Sequence, residues 1–301
     1  MLPFGAAMTT LLEAWGQART RLKAAGLDTP VLDARMLLEK AAGVDRHALV
    51  TDPYRVLPAA AVDALDALVA RRLAREPMSH IIGSRGFWTL DLAVTPDVLT
   101  PRPDSEQVVA EVLKRVDRDS AVRILDLGVG SGALVLALLQ ELPQARGVGV
   151  DCSRAALDVA TQNAARAGLS GRVSFALGDW GAGLDARFDI IVSNPPYIAT
   201  AEIAALEPEV RDHEPLLALD GGPDGLSAYR AVLPHIVRLL DPRGLAALEI
   251  GHRQANAVSA LAELAGLQVE AVARDLGRRD RVVVARPRRR SVGGLMDRLA
   301  D

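Results

Sequence analysis

Val122-Arg123-Ile124-Leu125-Asp126-Leu127, then Gly128-Val129-Gly130-Ser131-Gly132, then Ala133 to Leu142, is the stretch whose reading decides the fold. The apolar run is a buried strand and the glycines are a turn that lets backbone approach a ligand closely. The Ala- and Leu-rich run is a helix whose first amides face that turn. The same alternation continues downstream. Val148-Gly149-Val150 is a strand ending in Asp151, Asp158 to Ala167 a helix, Val173 to Ala176 a strand leading to Gly178-Asp179-Trp180, and Asp189 to Ser193 a fourth strand. Alternating strands and helices predict an α/β domain with a parallel sheet covered on both faces. Asp151 lies ~20 residues beyond the glycines, where a carboxylate can bind both hydroxyls of a ribose. Asp179 and Trp180 are placed to line an adenine pocket.

The spacing Gly-x-Gly-x-Gly differs from the Gly-x-Gly-x-x-Gly preferred around a pyrophosphate. Asp126, just before the turn, repels phosphates but attracts a sulfonium or an amino-acid ammonium group. The order of glycine turn, strand-end acid and Asp-Trp, with Asn-Pro-Pro-Tyr after them, therefore favours S-adenosylmethionine over a dinucleotide. No metal is expected.

The fourth strand ends in Asn194-Pro195-Pro196-Tyr197. Two prolines stop the sheet because neither donates a backbone hydrogen bond, while their carbonyls still accept. The combination suits a flat NH2 group: the Asn194 side-chain oxygen accepts one proton, the Pro195 carbonyl the other, and the Tyr197 ring covers a face. The same four residues also fit a strand end closed by a Pro-Pro turn over a buried Tyr.

Upstream, residues 8–75 read as four short helices forming a small bundle. Met8, Leu11, Leu12, Trp15 and Leu22 share one face, with Thr9 or Thr10 as cap. Leu32, Met36, Leu37 and Leu38 follow Thr29-Pro30, and Gly43 ends that helix. Asp45 caps a third helix through Leu49, and Pro58 opens a fourth with Leu65, Leu68, Val69 and Leu73 inward. Arg71, Arg72 and Arg75 read as a solvated basic face. The bundle has no catalytic constellation and suits recognition or docking. Residues 76–100 form a β-hairpin linker, Phe87 to Leu90 and Leu92 to Val94 around Asp91. Pro101-Arg102-Pro103-Asp104 is extended or turned, and Ser105 or Asp104 caps a helix from Glu106 to Val116. Arg102 is either a rigid arm over a site or a partner in an interdomain salt bridge. Asp212 and His213 read as loop surface.

Half of the 301 residues are apolar and 24% charged, a globular composition. The net charge of −3 argues against a protein whose affinity comes from neutralising phosphates. The single cysteine, Cys152, allows no intrachain disulfide and suits a reducing compartment. No apolar run approaches the ~20 residues of a membrane span, and Met1 to Ala7 lack the form of a signal peptide. A cytoplasmic protein is expected, with Met1 or Met8 as its start and a basic tail over 287–301.

The chain resembles the HemK/PrmC family of protein glutamine methyltransferases, which modify peptide chain release factors. The resemblance spans Met8 to Arg286. Besides the motifs above it includes Glu76-Pro77, Phe87-Trp88, Pro101-Arg102-Pro103-Asp104-Ser105-Glu106, Glu207-Pro208-Glu209-Val210, Asp220-Gly221-Gly222, Asp224-Gly225-Leu226 and Gly277-Arg278-Arg279-Asp280-Arg281. Gly86 and Val129 depart from it, standing where Glu and Thr are common. The resemblance implies a Rossmann-like, seven-stranded class I methyltransferase domain over 101–286, preceded by the helical bundle and the hairpin. It implies cofactor contacts from Gly128 to Gly132, Asp151, Trp180 and Asn194, to which the residue reading adds Asp126 and Asp179. It implies that Asn194 to Tyr197 hold the substrate glutamine, with no membrane and no stable nucleic-acid partner. Two other readings use the same residues: methylation of an exocyclic nucleobase amine or a ribosomal-protein glutamine, and a cofactor-binding docking module without turnover.

Overall fold

The computed structural model describes residues 9–288. The expectations for Met1 to Met8 and for 289–301 lie outside the described residues. The chain divides into two units, residues 1–85 with Glu207–His213, and Gly86–Leu206 with Glu214 onward.

The first unit is built from α1 (Leu11–Ala24), α2 (Pro30–Ala42), α3 (Ala48–Thr51), α4 (Ala59–Leu73) and a short α5 (Met78–Ile82) that the sequence reading missed. Thr10 and Glu13 form a capping box at the start of α1. Pro30 opens α2 and Gly43, at φ +63°, closes it. The buried stripes differ from the expected ones. In α1 the core side is Leu11, Ala14, Ala18 and Leu22, and Leu12 is exposed. In α2 it is Asp33, Ala34, Leu37 and Leu38, and Leu32 is exposed. Ala14, Ala18 and Ala34 bring the helices close along this side, and Leu12 and Leu32 fall outside the contact.

Asp33 is inside because Arg72 is inside. Arg72 Nε donates to Asp33 Oδ2 at 2.8 Å and its Nη1 to Glu209 Oε1 at 2.9 Å. Arg75 pairs with Glu209 at 3.1 Å, and Arg71 grips Glu76 with Nε and Nη2. The expected solvated basic face is therefore wrong for Arg72, since a buried guanidinium persists only where carboxylates neutralise it. Glu209 lies in α9 (Pro208–Arg211), far along the chain but in this same unit.

The boundary between the units falls within β1 (Ser84–Phe87), which pairs with β2 (Leu90–Ala93) in a two-stranded sheet. The turn lies at Trp88-Thr89 and not at Asp91: Trp88 takes φ +55°, its amide donates to Glu106 Oε1 and its indole to Glu141 Oε1, both at 2.8 Å. A 3-10 turn at Pro103–Ser105 leads into α6 (Glu106–Leu113), shorter than expected. Then come β3 (Arg123–Leu127), α7 (Ala133–Glu141), β4 (Arg146–Asp151), α8 (Arg154–Arg166), β5 (Val173–Leu177) and β6 (Phe188–Ser193). After the segment with α9 follow α10 (Ser227–Leu239), β7 (Leu240–Glu249), α11 (Ala255–Ala265), β8 (Leu267–Arg274) and β9 (Asp280–Pro287). Helix α8 starts earlier than read because Ser153 Oγ accepts from the Ala156 amide at 3.2 Å.

The seven strands run in the order β5-β4-β3-β6-β7-β9-β8. β3, β4, β5, β6 and β7 are mutually parallel, and β9 runs antiparallel to both β7 and β8. Both faces are buried. Ile124, Ile190 and Val192 pack with α7 in one core, while Leu125, Leu127 and Ile191 pack with Tyr229 and Val232 of α10 in the other. That is the period of two along each strand. Chain order reverses at β3, between β4 and β6, so a crevice opens at the carboxyl ends of these strands. The glycine turn, Asp151 and Asn194 all lie at those ends.

Candidate active site

The turn after β3 is held by carboxylates. Gly128 and Val129 donate their amides to the Val150 carbonyl at 2.9 and 3.0 Å. Gly130 N–H donates to Asp151 Oδ2, and Ser153 N–H to Asp151 Oδ1, both at 2.9 Å. Asp151 is thus fixed by two backbone amides, with its remaining lone pairs free to accept from a ribose. Val135 N–H of α7 donates to Asp126 Oδ2 at 3.2 Å. Of the amides at this helix start, that of Val135 is thus turned to Asp126 within the protein and not to a ligand.

Gly128 sits at φ +75°, and a Cβ there would stand 3.4 Å from the Trp180 ring. Trp180 itself has φ +48°, a conformation costing a bulky residue about 1–3 kcal/mol, which holds its indole beside the turn. Gly149 must lack a side chain: its Cβ would lie 2.7 Å from Val129 Cγ2. Asn163 of α8 fastens this region from behind. Its Nδ2 donates to the Ser131 carbonyl at 2.9 Å and to the Ala93 carbonyl at 3.1 Å, and its Oδ1 accepts from Ala93 N–H at 2.6 Å.

These elements enclose a cavity of about 290 Å³ whose wall includes Asp126, Gly128 to Ser131, Asp151, Asp179, Trp180, Asn194 and Pro196. Arg102 is on the wall and also pairs with the buried Glu214, Nη2 to Oε2 at 2.6 Å, a salt bridge within the second unit and not the expected interdomain one. Burial pushes the Glu214 carboxyl up, against the pull of Arg102 and Thr100. Gly132 is not on the wall: at φ +86° it starts α7, packed against Leu136 and Ala160.

The cavity fits S-adenosylmethionine. Asp126 is buried with Oδ1 unpartnered, a site suited to a cation, and burial pushes its carboxyl up to about 8. Asp151 suits the ribose, and Asp179 with the Trp180 ring suits the adenine. Among the described residues no His, Cys, Asp and Glu side chains group as a metal site.

Asn194 follows β6, whose Ser193 Oγ donates to the Leu127 carbonyl at 2.6 Å and ties the ends of β6 and β3 together. Asn194 Nδ2 donates to Ser105 Oγ at 3.2 Å, leaving Oδ1 to accept. Neither Ser105 nor Asp104 caps α6 through its side chain. Pro195, between the lining residues Asn194 and Pro196, is buried and is not itself on the wall. The Tyr197 ring is off the wall as well and does not form the expected cover: it packs into the second core, and its hydroxyl donates to Glu249 Oε1 at 3.3 Å. Its backbone is held too, since Gln254 Nε2 donates to the Tyr197 carbonyl at 2.9 Å. Asp212 and His213 belong to the first unit, where Asp212 is exposed and paired with Arg211.

Comparison with known proteins agrees with this architecture. Residues 13–83 match the family described as PrmC N-terminal domain, and residues 118–271 match one described as methyltransferase domain. A release factor glutamine methyltransferase of Caulobacter vibrioides is 54% identical over 91% of this chain and 96% of its own length. That of Moorella thermoacetica is 45% identical over 92% of this chain and 98% of its own length. In structure, a methyltransferase from Pyrococcus furiosus superposes with a TM-score of 0.50 at 16% identity, over 73% of this chain and 96% of that one, which shows the shared fold. With such identity along nearly the whole length of both proteins, this chain belongs to the release factor glutamine methyltransferase family.

Proposed function

We propose that this chain methylates the side-chain amide nitrogen of the glutamine in the Gly-Gly-Gln loop of class-one peptide chain release factors, with S-adenosylmethionine as methyl donor. The observation that carries the reading is Asn194, set on the cavity wall with Nδ2 engaged by Ser105 and Oδ1 left to accept.

An amide nitrogen is a weak nucleophile because its lone pair is shared with the carbonyl. The bound cofactor supplies a methyl group on a sulfonium, which departs as a neutral thioether with the C–S electron pair. Asn194 Oδ1 accepts one N–H of the glutamine and the Pro195 carbonyl the other, which aligns the nitrogen with the methyl carbon. As the N–C bond forms, the nitrogen gains positive charge, and both acceptors bind its protons more strongly than before. The nitrogen, acidic once the N–C bond has formed, then releases one of those protons to water, so no strong base acts before attack. Asp151 holds the ribose, Asp179 and Trp180 the adenine, and Arg102 the substrate backbone near the wall.

The helical unit is the part that discriminates release factors from other exposed glutamines. It presents a groove between α1, α2 and α3 whose rim carries Leu32 and Val50, 44% and 82% exposed. A cytoplasmic protein with no stable nucleic-acid partner fits this role. Among the described residues no helix is long and apolar enough to cross a membrane.

The test is Asn194→Ala, assayed by transfer of labelled methyl groups to purified release factor, with mass spectrometry to locate the methyl. Turnover should collapse while cofactor affinity changes little. A near-normal rate at saturating substrate would remove Asn194 from the reaction.

A further inference from the structure

Behind Asn194 runs a buried polar chain. Ser105 Oγ accepts from Asn194 Nδ2 at 3.2 Å, and the Ser105 hydroxyl lies beside the carboxyl of Glu249 at the end of β7, where it favours the charged form. Both residues are buried. Tyr197 donates to Glu249 Oε1 at 3.3 Å, while Oε2 is buried with no hydrogen-bond partner. The remaining groups facing this carboxyl are Arg281 on β9, Asp104 in the 3-10 turn, and Tyr229 on α10, whose hydroxyl donates to the Glu249 main-chain carbonyl at 2.8 Å. Arg281 is itself shared between Asp104 at 2.9 Å and Asp275 at 3.1 Å.

We propose that Glu249 is a positioning residue for methyl transfer, using the Ser105 hydroxyl to fix which end of the Asn194 amide faces the methyl acceptor. The proposal rests on the reading of Asn194 as the group that holds the glutamine.

The reason lies in donor and acceptor inventories. An ionised carboxylate only accepts. Ser105 must then give its one proton to Glu249, and toward Asn194 it can only accept. That turns Nδ2 to Ser105 and Oδ1 to the substrate N–H. A protonated carboxyl removes this constraint, because it can donate to Ser105. The Ser105 proton is then free for Asn194 Oδ1, and the amide can turn its own N–H groups against the substrate NH2. Burial pushes the Glu249 carboxyl up to about 7, against the pull of Ser105, Arg281 and Tyr197. The polarity of the chain is therefore set in the neutral range, with the productive direction on the alkaline side.

Glu249→Gln tests this, since the amide keeps the shape but offers both donor and acceptor, as the protonated acid does. At pH 8 and saturating cofactor, kcat should fall by about two- to tenfold, the worth of one hydrogen bond, with cofactor affinity unchanged as the check on folding. The wild-type kcat should decline below about pH 7 and the variant's should not. Ser105→Ala should show the same loss and the same flat profile, and combining the two should add nothing further. A wild-type profile in Glu249→Gln, or losses that multiply in the double variant, would overturn the proposal. If Asn194→Ala collapses kcat while Glu249→Gln behaves as wild type, the positioning role alone fails. If Asn194→Ala leaves kcat intact, the reading beneath it fails first.

Discussion

If Asp126 faces the cation of the bound cofactor, as its place on the cavity wall suggests, binding should release a proton. Burial pushes its carboxyl up to about 8, so at pH 7 most of the population carries a proton. A cation within ~4–6 Å lowers a carboxyl pKa by about 1–3 units, and a sulfonium or ammonium group in this cavity acts in that way on Asp126. Between the lowered value and 8, the bound form holds fewer protons than the free one. Affinity should therefore rise with pH through that window, by up to tenfold per unit or about 1.4 kcal/mol, and level off above pH 8, where both forms are ionised. For a shift of about 2 units, from about 8 to about 6, the gain from pH 6 to pH 8 is about 25-fold, out of about a hundredfold over the whole titration. Calorimetry at pH 7 in two buffers of different ionisation enthalpy should report close to one proton released per cofactor bound. Asp126→Asn should abolish both the release and the pH dependence, yet keep α7 in place, since an amide oxygen can still accept from Val135 N–H as Asp126 Oδ2 does. No proton release in the wild type, or the same release in Asp126→Asn, would refute the reasoning.

Asp151→Ala should weaken S-adenosylmethionine binding severely, because it removes the ribose acceptors, worth ~1.5–3 kcal/mol each, and frees the Gly130 and Ser153 amides that the carboxylate holds. Unchanged affinity by calorimetry in a folded variant would place the cofactor wrongly. Arg72→Ala should cost about 3–5 kcal/mol in the helical unit, since it leaves the buried Asp33 unpaired. Hydrogen exchange of the α2 and α4 amides measures this, and a loss under about 1 kcal/mol counts against a buried charge network. Leu32→Asp with Val50→Asp should depress kcat/KM on intact release factor and spare it on a short Gly-Gly-Gln peptide. Equal effects on both substrates would assign the groove no part in recognition.

What was legible in the sequence is what neighbours along the chain decide. β3, the glycine turn, the acid ending β4 and the Pro-Pro stop after β6 are each written within a few residues, as periodicity, as freedom of φ or as a missing amide. Asp126, Asp151 and Asn194 could be picked out for that reason. The rest depends on partners far apart in the chain. Ser105 reads as a helix cap until the fold brings Asn194, 89 residues away, to its hydroxyl. Asn163 sits on α8 like any polar helical residue, and only its hydrogen bonds to Ala93 and Ser131 give it work. Tyr197 reads either as a ring over the substrate or as a buried Tyr under the Pro-Pro turn, and only Glu249, 52 residues on, decides for the second by drawing its hydroxyl inward. Leu12 and Leu32 looked like core because apolar periodicity does not say which of two adjacent stripes an alanine-lined contact will choose.

The ion pair between Arg72 and Glu209 spans 137 residues of sequence. During synthesis at about 5–20 residues per second, roughly 7–27 seconds pass between the emergence of one partner and the other. Through that interval α1, α2 and α4 can assemble, with Arg72 answered by Asp33 alone. Glu209 arrives only after β3 to β6 have been made, so the helical unit reaches its final form once most of the sheet is already out of the ribosome. A nascent chain halted before residue 209 would carry a helical unit less resistant to proteolysis than the same residues in the finished protein. The order of translation thus makes the first unit to emerge one of the last to be completed.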